Sequence, residues 1–301
     1  MPELPEVETI VRELRKKIIG SRIVDFWSDR GKPVRQAGGI AKFKKEIKNK
    51  KILSITRRAK FIVIDLEGDK SLFIHQKISG HLMYGRWIKN VKRKTKNEKW
   101  QLWVSVIPGP LKEDRENQYI RYIWTLNNGY QIAMSDLRRF SRVILVKDKD
   151  VSNLKEIRDL GPEPLEIDFK KFKNLFDKKR GNIKPVLMDP FFIVGIGNIY
   201  SDEILWDAGL HPLSRVENFR EKDLEKIFLS TQKILKKAIA AKGSSVDDYR
   251  MPSGEKGRYQ EMEKAYQQTG RRCSRKDGGV IKRLRVAGRS AHFCSKHQIL
   301  R

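Results

Sequence analysis

At Gly161-Pro162-Glu163-Pro164 the hydrophobic period passes from mainly strand-like to mainly helical, and that change restricts the fold more than any other feature. Upstream, Arg22 to Trp27, Phe61 to Leu66, Ser71 to Ile78 and Tyr119 to Ser135 read as strands. The last is interrupted by Asn127-Asn128-Gly129, a hairpin turn. Downstream, Asp168 to Arg180, Asn198 to Ala208 and Asn218 to Ala241 repeat at helical spacing. Strands first and helices afterwards exclude an alternating parallel α/β sheet and predict an α+β multidomain chain with a β-sandwich in its first half. One helix precedes the strands: Val7, Ile10, Val11, Leu14 and Ile18 share a face, Pro5 suits the first turn and Gly20 the stop. After Gly243 a polar stretch without clear period runs to about Gln260. Val280 to Cys294 then predicts a closing hairpin with Gly288 near its turn. The expected domains are 1–150, 151–260 and 261–301, and 301 residues suffice for more than one core.

Lys and Arg number 65 against 37 Asp and Glu, a formal net charge of +28, which implies a polyanionic partner. The cations are spread along the folded-looking segments, so the fold itself should carry the binding surface. No apolar run approaches the ~18 residues of a membrane span, and an acidic N-terminus is unlike a secretory signal. A cytoplasmic, nucleoid-associated monomer is expected. Cys273 and Cys294 are the only cysteines, too few for a disulfide framework.

The N-terminus carries the chemistry. Once Met1 is removed, Pro2 presents a secondary amine whose α-amino pKa near ~8 leaves a neutral fraction able to attack a sugar C1′. Displacing the base yields a cationic iminium, which acidifies the C2′ proton and invites strand cleavage by elimination. Glu3 and Glu6 lie close enough in sequence to serve as acid and base. By themselves, Pro5, Glu6 and Glu8 read first as the acidic start of a helix.

The string Pro2-Glu3-Leu4-Pro5-Glu6-Val7-Glu8-Thr9 resembles the opening of the bacterial formamidopyrimidine-DNA glycosylase and endonuclease VIII family. Further anchors follow in family order: Arg57-Arg58-Ala59-Lys60, His75-Gln76-Lys77-Ile78-Ser79-Gly80, Asp136-Leu137-Arg138-Arg139-Phe140, Leu160 to Leu165, Gly195-Ile196-Gly197-Asn198-Ile199-Tyr200 and Gly288-Arg289. The resemblance implies an N-terminal helix on a two-layer β-sandwich, a helical domain with a helix-two-turn-helix motif, a C-terminal β-hairpin finger, and DNA in the cleft between domains. It implies a base-excision-repair glycosylase with abasic-site lyase activity that removes oxidised purines such as 8-oxoguanine and formamidopyrimidines. Pro2, Glu3 and Glu6 would react, with Lys60 and Arg289 completing the catalytic set; Lys60, His75, Arg139, Asn198 and Arg289 would hold phosphates, Lys60 near the damaged nucleotide. Arg138 and Phe140, with Ile78, would fill the space an extruded base leaves. The segment from Gly243 to Gln260 is similar to a lesion-capping loop and favours oxidised purines over the oxidised pyrimidines of the endonuclease VIII type. A non-catalytic damaged-DNA-binding protein would have no need of Pro2, Glu3 and Glu6 together. An RNA-binding structural protein fits the charge but lacks a recognisable RNA module.

The chain also departs from the family. Leu137 and Ser141 replace a proline and a glycine, Pro190 a glutamine, and the basic segment Arg86 to Gln118, with Trp87, Trp100 and Trp103, is longer than the usual connection. Its tryptophans read as packing residues. The family's finger carries two C-x₂-C pairs, the spacing of structural zinc, but here the four positions are Cys273, Lys276, Cys294 and His297. A protonated lysine has no lone pair to give. Asp277 and His292 are nearby donors off the family positions. The expectation is a finger held by Ile281, Leu284, Val286 and Phe293, with zinc weak or absent and no cofactor in the chemistry.

Overall fold

The computed structural model describes residues 1–29, 38–90 and 102–301. The chain divides into two compact units: Met1–Pro2, Glu6–Arg158 and Lys242–Arg258 form one, and Glu3–Pro5, Asp159–Ala241 and Tyr259–Arg301 the other.

In the first unit, α1 (Leu4–Ile18) precedes β1 (Ile23–Ser28), α2 (Ile40–Ile47), β2 (Ile52–Arg58), β3 (Phe61–Leu66), β4 (Lys70–His75) and β5 (Gly80–Gly85). A small hairpin, β6 (Trp87–Lys89) with β7 (Trp103–Ser105), and the short α3 (Pro110–Glu113) lead to β8 (Ile120–Leu126), β9 (Gln131–Asp136), β10 (Arg142–Lys147) and α4 (Lys155–Arg158). The strands form two four-stranded antiparallel sheets, ordered β1-β8-β9-β5 and β10-β4-β3-β2. One apolar cluster joins them: Phe26, Leu82, Trp124 and Met134 come from the first sheet and Ile55, Ile62, Ile64 and Ile74 from the second. The predicted stripe of α1, Val7, Ile10, Val11, Leu14 and Ile18, completes the cluster at 0% exposure. Each such side chain contributes about 2 kcal/mol by burial, so the helix is held by its packing face.

β3 lacks the alternation of a half-solvated strand because both its faces are covered. Ile62 and Ile64 enter the main core, while Phe61 and Val63 pack with Phe73, Ile144, Val151, Leu154 and Ile157. β4 ends at His75 and not at Ile78, since Gln76 to Ser79 turn the chain into β5. In the long segment before β8, Trp87 is buried and Trp103 stacks edge-on against Trp27 at 5.4 Å. Both are packing residues, and Trp100 lies outside the described residues.

The second unit holds α5 (Phe169–Asn174), α6 (Ile183–Met188), α7 (Asn198–Ala208), α8 (Glu221–Ala240), β11 (Ile281–Val286) and β12 (Arg289–Cys294). The period from Asp168 to Arg180 overstates α5, which becomes a turn after Asn174. α7 is buried on nearly every side, so its sequence shows no amphipathic stripe. The closing hairpin turns through Ala287 and Gly288 at φ 46° and 79°, the two positive values a tight two-residue turn requires. The stretch Lys242–Arg258, expected with the helical domain, groups by its contacts with the β-sandwich unit. Among the described residues no helix is long and apolar enough to cross a membrane.

Candidate active site

Pro2 is buried. Met1 precedes it, and its terminal ammonium lies 3.2 Å from the Asp247 carboxylate, so the Pro2 nitrogen is an amide until Met1 is removed. Of the three acids that follow, Glu8 is committed to structure. Burial would raise its pKa, but the Arg12 and Arg57 guanidinium groups bound to it, at 2.6 and 2.9 Å, outweigh this and lower it. Glu6 is 1% exposed and accepts the Ser244 N–H at 2.8 Å. Gly243 allows that approach: its φ is +79°, and a Cβ there would stand 2.7 Å from Glu6 Oε1.

Glu3 is held within the second unit. Its carboxylate accepts N–H bonds from Gly197 at 2.6 Å, Ile199 at 2.9 Å and Tyr200 at 3.4 Å. The positive end of α7 therefore binds the chain's own carboxylate. The amides of Gly197, Ile199 and Tyr200 are thus occupied by Glu3 and not open to a phosphate. The glycines serve instead to admit the N-terminal segment: a Cβ on Gly197 would lie 2.5 Å from Glu3 Cδ, and one on Gly195 2.6 Å from Leu4 Cβ. Asn198, first residue of α7, keeps a buried Oδ1 without a hydrogen-bond partner among the described residues, so its side chain is what this turn can offer a ligand.

Below that turn lies a network whose function the sequence analysis missed. Lys184 is 1% exposed, and its ammonium donates to Asp202 Oδ1 at 2.5 Å, Ser201 Oγ at 3.1 Å and the Asn198 carbonyl at 3.3 Å. Burial lowers the Lys184 pKa, and Asp202 opposes that shift. The other Asp202 oxygen accepts the His292 backbone N–H at 3.0 Å and faces its Nδ1 at 2.8 Å, tying α7 to β12 three residues beyond Arg289. The neighbouring Glu203 accepts the amides of Lys264, Ala265 and Tyr266, and burial raises its pKa. Two adjacent acids inside an apolar helix were the available signal. Arg289 itself stands exposed beside the hairpin turn, on a hairpin that also exposes Lys282, Arg283 and Arg285.

In the first unit, sheet register gathers a cationic cluster. His75 is the cross-strand partner of both Phe61 and Arg142, and Lys60 precedes Phe61. Lys60 is the second residue of the two-residue turn between β2 and β3, not a strand residue, with Ala59 at φ 54° before it. Burial, with Lys77, Lys60 and Arg142 nearby, pushes the His75 pKa down to about 3. The imidazole is thus neutral at pH 7. Its Nδ1 accepts the Lys77 N–H at 2.9 Å, which leaves the proton on Nε2 as a donor.

Asp136, fully buried, fastens two loops together. One carboxylate oxygen accepts the Ser79 hydroxyl at 2.6 Å and the other the Ser141 N–H at 2.9 Å, while Ser79 Oγ accepts the Arg138 N–H at 3.0 Å. These loops carry the expected wedge residues. Ile78 and Phe140 are 36% and 55% exposed, and Arg138 is exposed, an arrangement that hydrophobic burial would not produce on its own. Arg139 adopts φ 58° and pairs with Asp29 at 3.2 Å.

At the finger, Cys273, Asp277, Cys294 and His297 bring one donor atom each within 4.8 Å of one another. Of the two further donors the sequence offers, His292 is engaged by Asp202, whereas Lys276 takes the left-handed conformation at φ 58° and the next residue, Asp277, faces the cysteines. His297 Nδ1 points at Asp277 Oδ2 (2.7 Å) and Cys273 Sγ (3.5 Å), while Nε2 meets the Trp206 carbonyl at 3.0 Å. That carbonyl selects the tautomer with a lone pair on Nδ1. A Cβ on Gly279 would collide with Cys294 Sγ and Asp277 Oδ1. The donor set suits a divalent metal such as zinc.

Residues 1–143 match the formamidopyrimidine-DNA glycosylase N-terminal domain and residues 160–250 the formamidopyrimidine-DNA glycosylase H2TH domain. The formamidopyrimidine-DNA glycosylase of Pelotomaculum thermopropionicum is 32% identical over 296 residues, 98% of each chain. That of Heliobacterium modesticaldum is 32% identical over 300 residues, 99% of this chain and 100% of the other. Among solved structures, a Lactococcus lactis Fpg variant in complex with Fapy-dG-containing DNA superposes with TM-score 0.82 at 30% identity, covering 99% of both chains. The Lactococcus lactis Fpg complex with abasic-site DNA gives 0.81 at 29% identity, again covering 99% of both. With matches of this extent in sequence and in structure, the chain belongs to the formamidopyrimidine-DNA glycosylase family of base-excision-repair enzymes.

Proposed function

We propose that the protein excises oxidised purines from double-stranded DNA through the amine of Pro2 and then cleaves the strand at the resulting abasic site. The observation that carries this is the fixing of the acids that follow Pro2 in sequence: Glu3 by three backbone amides of the second unit and Glu6 by one of the first. Acids held this firmly suit proton transfer, which depends on placement. After Met1 removal, the Pro2 nitrogen forms a bond to C1′ as the C1′–base bond breaks, and the base leaves with a proton. Opening of the sugar ring gives the iminium. Loss of the C2′ proton then expels the 3′ phosphate, and a second elimination expels the 5′ phosphate. Lys60, His75, Asn198 and Arg289 hold the backbone phosphates, with Arg139 released from Asp29 to join them. Ile78, Arg138 and Phe140 occupy the duplex where the base leaves it.

A second substrate class, oxidised pyrimidines, has one observation in its favour: Lactococcus lactis Fpg, a structural relative at 30% identity, has also been solved with oxidised-pyrimidine DNA. Zinc held by Cys273, Asp277, Cys294 and His297 would supply no chemistry in this scheme; it would brace the finger on which Arg289 is mounted. The deciding experiment is borohydride trapping with duplexes carrying 8-oxoguanine opposite cytosine or an oxidised pyrimidine. A covalent adduct at Pro2 that forms faster on the purine duplex is expected. No adduct from correctly processed protein would overturn the mechanism, and faster trapping on the pyrimidine duplex would reverse the substrate order.

A further inference from the structure

The segment Lys242–Arg258 has no helix or strand, yet Ser244, Ser245, Tyr249, Arg250 and Met251 are buried. A loop can be this ordered only if its backbone groups find partners. Its first half finds them close by: Ser244 donates to Glu6, Ser245 Oγ donates to the Tyr249 carbonyl and accepts the Gly257 N–H, and Tyr249 and Met251 enter the sandwich core.

The second half finds them in the long segment before β8. The Arg250 guanidinium, 7% exposed, donates to Asp114 at 2.7 and 3.4 Å. Asp114 also accepts the Glu116 N–H and so starts the short 3-10 turn Arg115–Gln118. Inside that turn Asn117 is fully buried. Its Nδ2 donates to the carbonyls of Gly254 (3.0 Å) and Pro110 (2.8 Å), and its Oδ1 meets His81 Nε2 at 2.9 Å. Gly254 packs so tightly that a Cβ would stand 2.9 Å from both Asn117 Nδ2 and Leu111 Cδ2. Besides these, Pro252 gives its carbonyl to the Tyr84 N–H at 2.9 Å.

We propose that Pro110–Gln118 is a clamp that holds residues 249–257 in one conformation before DNA arrives, and that Asp114 and Asn117 are positioning residues for base excision. This rests on the lesion-capping reading of the loop given above. Without Asp114 a buried guanidinium loses its counter-charge, and without Asn117 a buried carbonyl loses its donor; either loss favours opening of the loop. Opening matters only while a damaged base is present to be covered. An abasic site offers none, so strand cleavage there does not depend on the clamp.

The test compares wild type, Asp114→Asn, Asn117→Ala and Asp114→Glu. Single-turnover excision of 8-oxoguanine and cleavage of a preformed abasic site are measured on each protein, with amide exchange of residues 243–257 in the free enzyme. The expected result is excision about tenfold slower in the first two variants, abasic cleavage within about twofold of wild type, and faster exchange confined to the loop. Asp114→Glu, which keeps the charge, should recover most of the excision rate. Excision and abasic cleavage falling together, or loop exchange unchanged, would overturn the clamp. Wild-type protein that cleaves abasic DNA but excises no oxidised base would instead overturn the substrate assignment on which the clamp rests.

Discussion

Gly197→Ala tests whether the seat of Glu3 governs catalysis. Gly197 has φ −136°, so alanine meets no left-handed strain there. What it lacks is room: the new methyl would lie 2.5 Å from Glu3 Cδ and 2.6 Å from Oε1, against about 3.5 Å for a relaxed contact. The carboxylate must retreat by about 1 Å, breaking its 2.6 Å bond to the Gly197 N–H and weakening those to Ile199 and Tyr200. A displacement of ~1 Å at a reacting group costs on the order of 100-fold in rate, equivalent to about 2.7 kcal/mol in the barrier. The cations proposed to hold phosphates lie on other segments of the chain, so DNA affinity should stay within about twofold. Single-turnover excision on an 8-oxoguanine duplex gives the rate, fluorescence anisotropy the affinity, and thermal unfolding shows that the fold survives. A folded variant that excises at the wild-type rate would refute the role assigned to this seat. Equal losses of rate and affinity would show that the substitution disturbs the whole DNA-binding surface.

Glu3→Gln should abolish base excision while leaving DNA affinity nearly intact, since binding rests on the cationic side chains; a parallel loss of affinity in a binding assay would contradict its role. Lys184→Met leaves Asp202 buried without its ammonium and should cost about 3 kcal/mol or more, lowering Tm by on the order of 10 °C; replacing Asp202 by Asn as well, which removes the charge but keeps an acceptor for the His292 N–H, should recover part of this, and a Tm unchanged in the single variant would show the network to be inert. Protein purified without chelator should hold close to one zinc per chain, and the cobalt-substituted form should show thiolate charge-transfer bands that change in Asp277→Ala; metal-free wild type would exclude the site. Folding stability should fall as pH drops from about 6.5 towards 4. His75 and His81, with pKa values pushed down to about 3 and about 4 by burial, stay neutral in the fold while the unfolded chain takes up protons. The sign follows because the unfolded state binds more protons, and the slope reaches at most about 1.4 kcal/mol per pH unit for each histidine. Denaturant titrations at pH 7 and 5 should show a smaller drop for His75→Asn; an identical drop would mean that His75 does not contribute.

The local elements, and the reactive residue types near the N-terminus, are legible in the order of residues alone. The stripe of α1, the hairpin at Asn127-Asn128-Gly129, the helical run into α7 and the closing hairpin all follow from spacing and turn residues, which act over a few positions. Pro2, Glu3 and Glu6 stand out only as part of the family-like string Pro2 to Thr9, because Pro5, Glu6 and Glu8 taken alone read as the acidic start of a helix. Tertiary structure decided what depends on distant partners. Glu3 occupies an anion site made by residues 194 to 197 positions away, so the positive end of α7 is filled by the chain itself. Lys184 reads as one lysine among many until Asp202 and His292 surround it. The choice of Asp277 over His292 as the fourth donor accompanies a left-handed Lys276, a backbone state that spacing between ligands does not report. The segment before β8 looked like a basic insertion, yet its decisive residues are an acid and an amide, Asp114 and Asn117, whose partners lie 136 and 137 residues further along the chain. Buried polar groups must be matched one to one by geometry, and that matching is a property of the assembled fold.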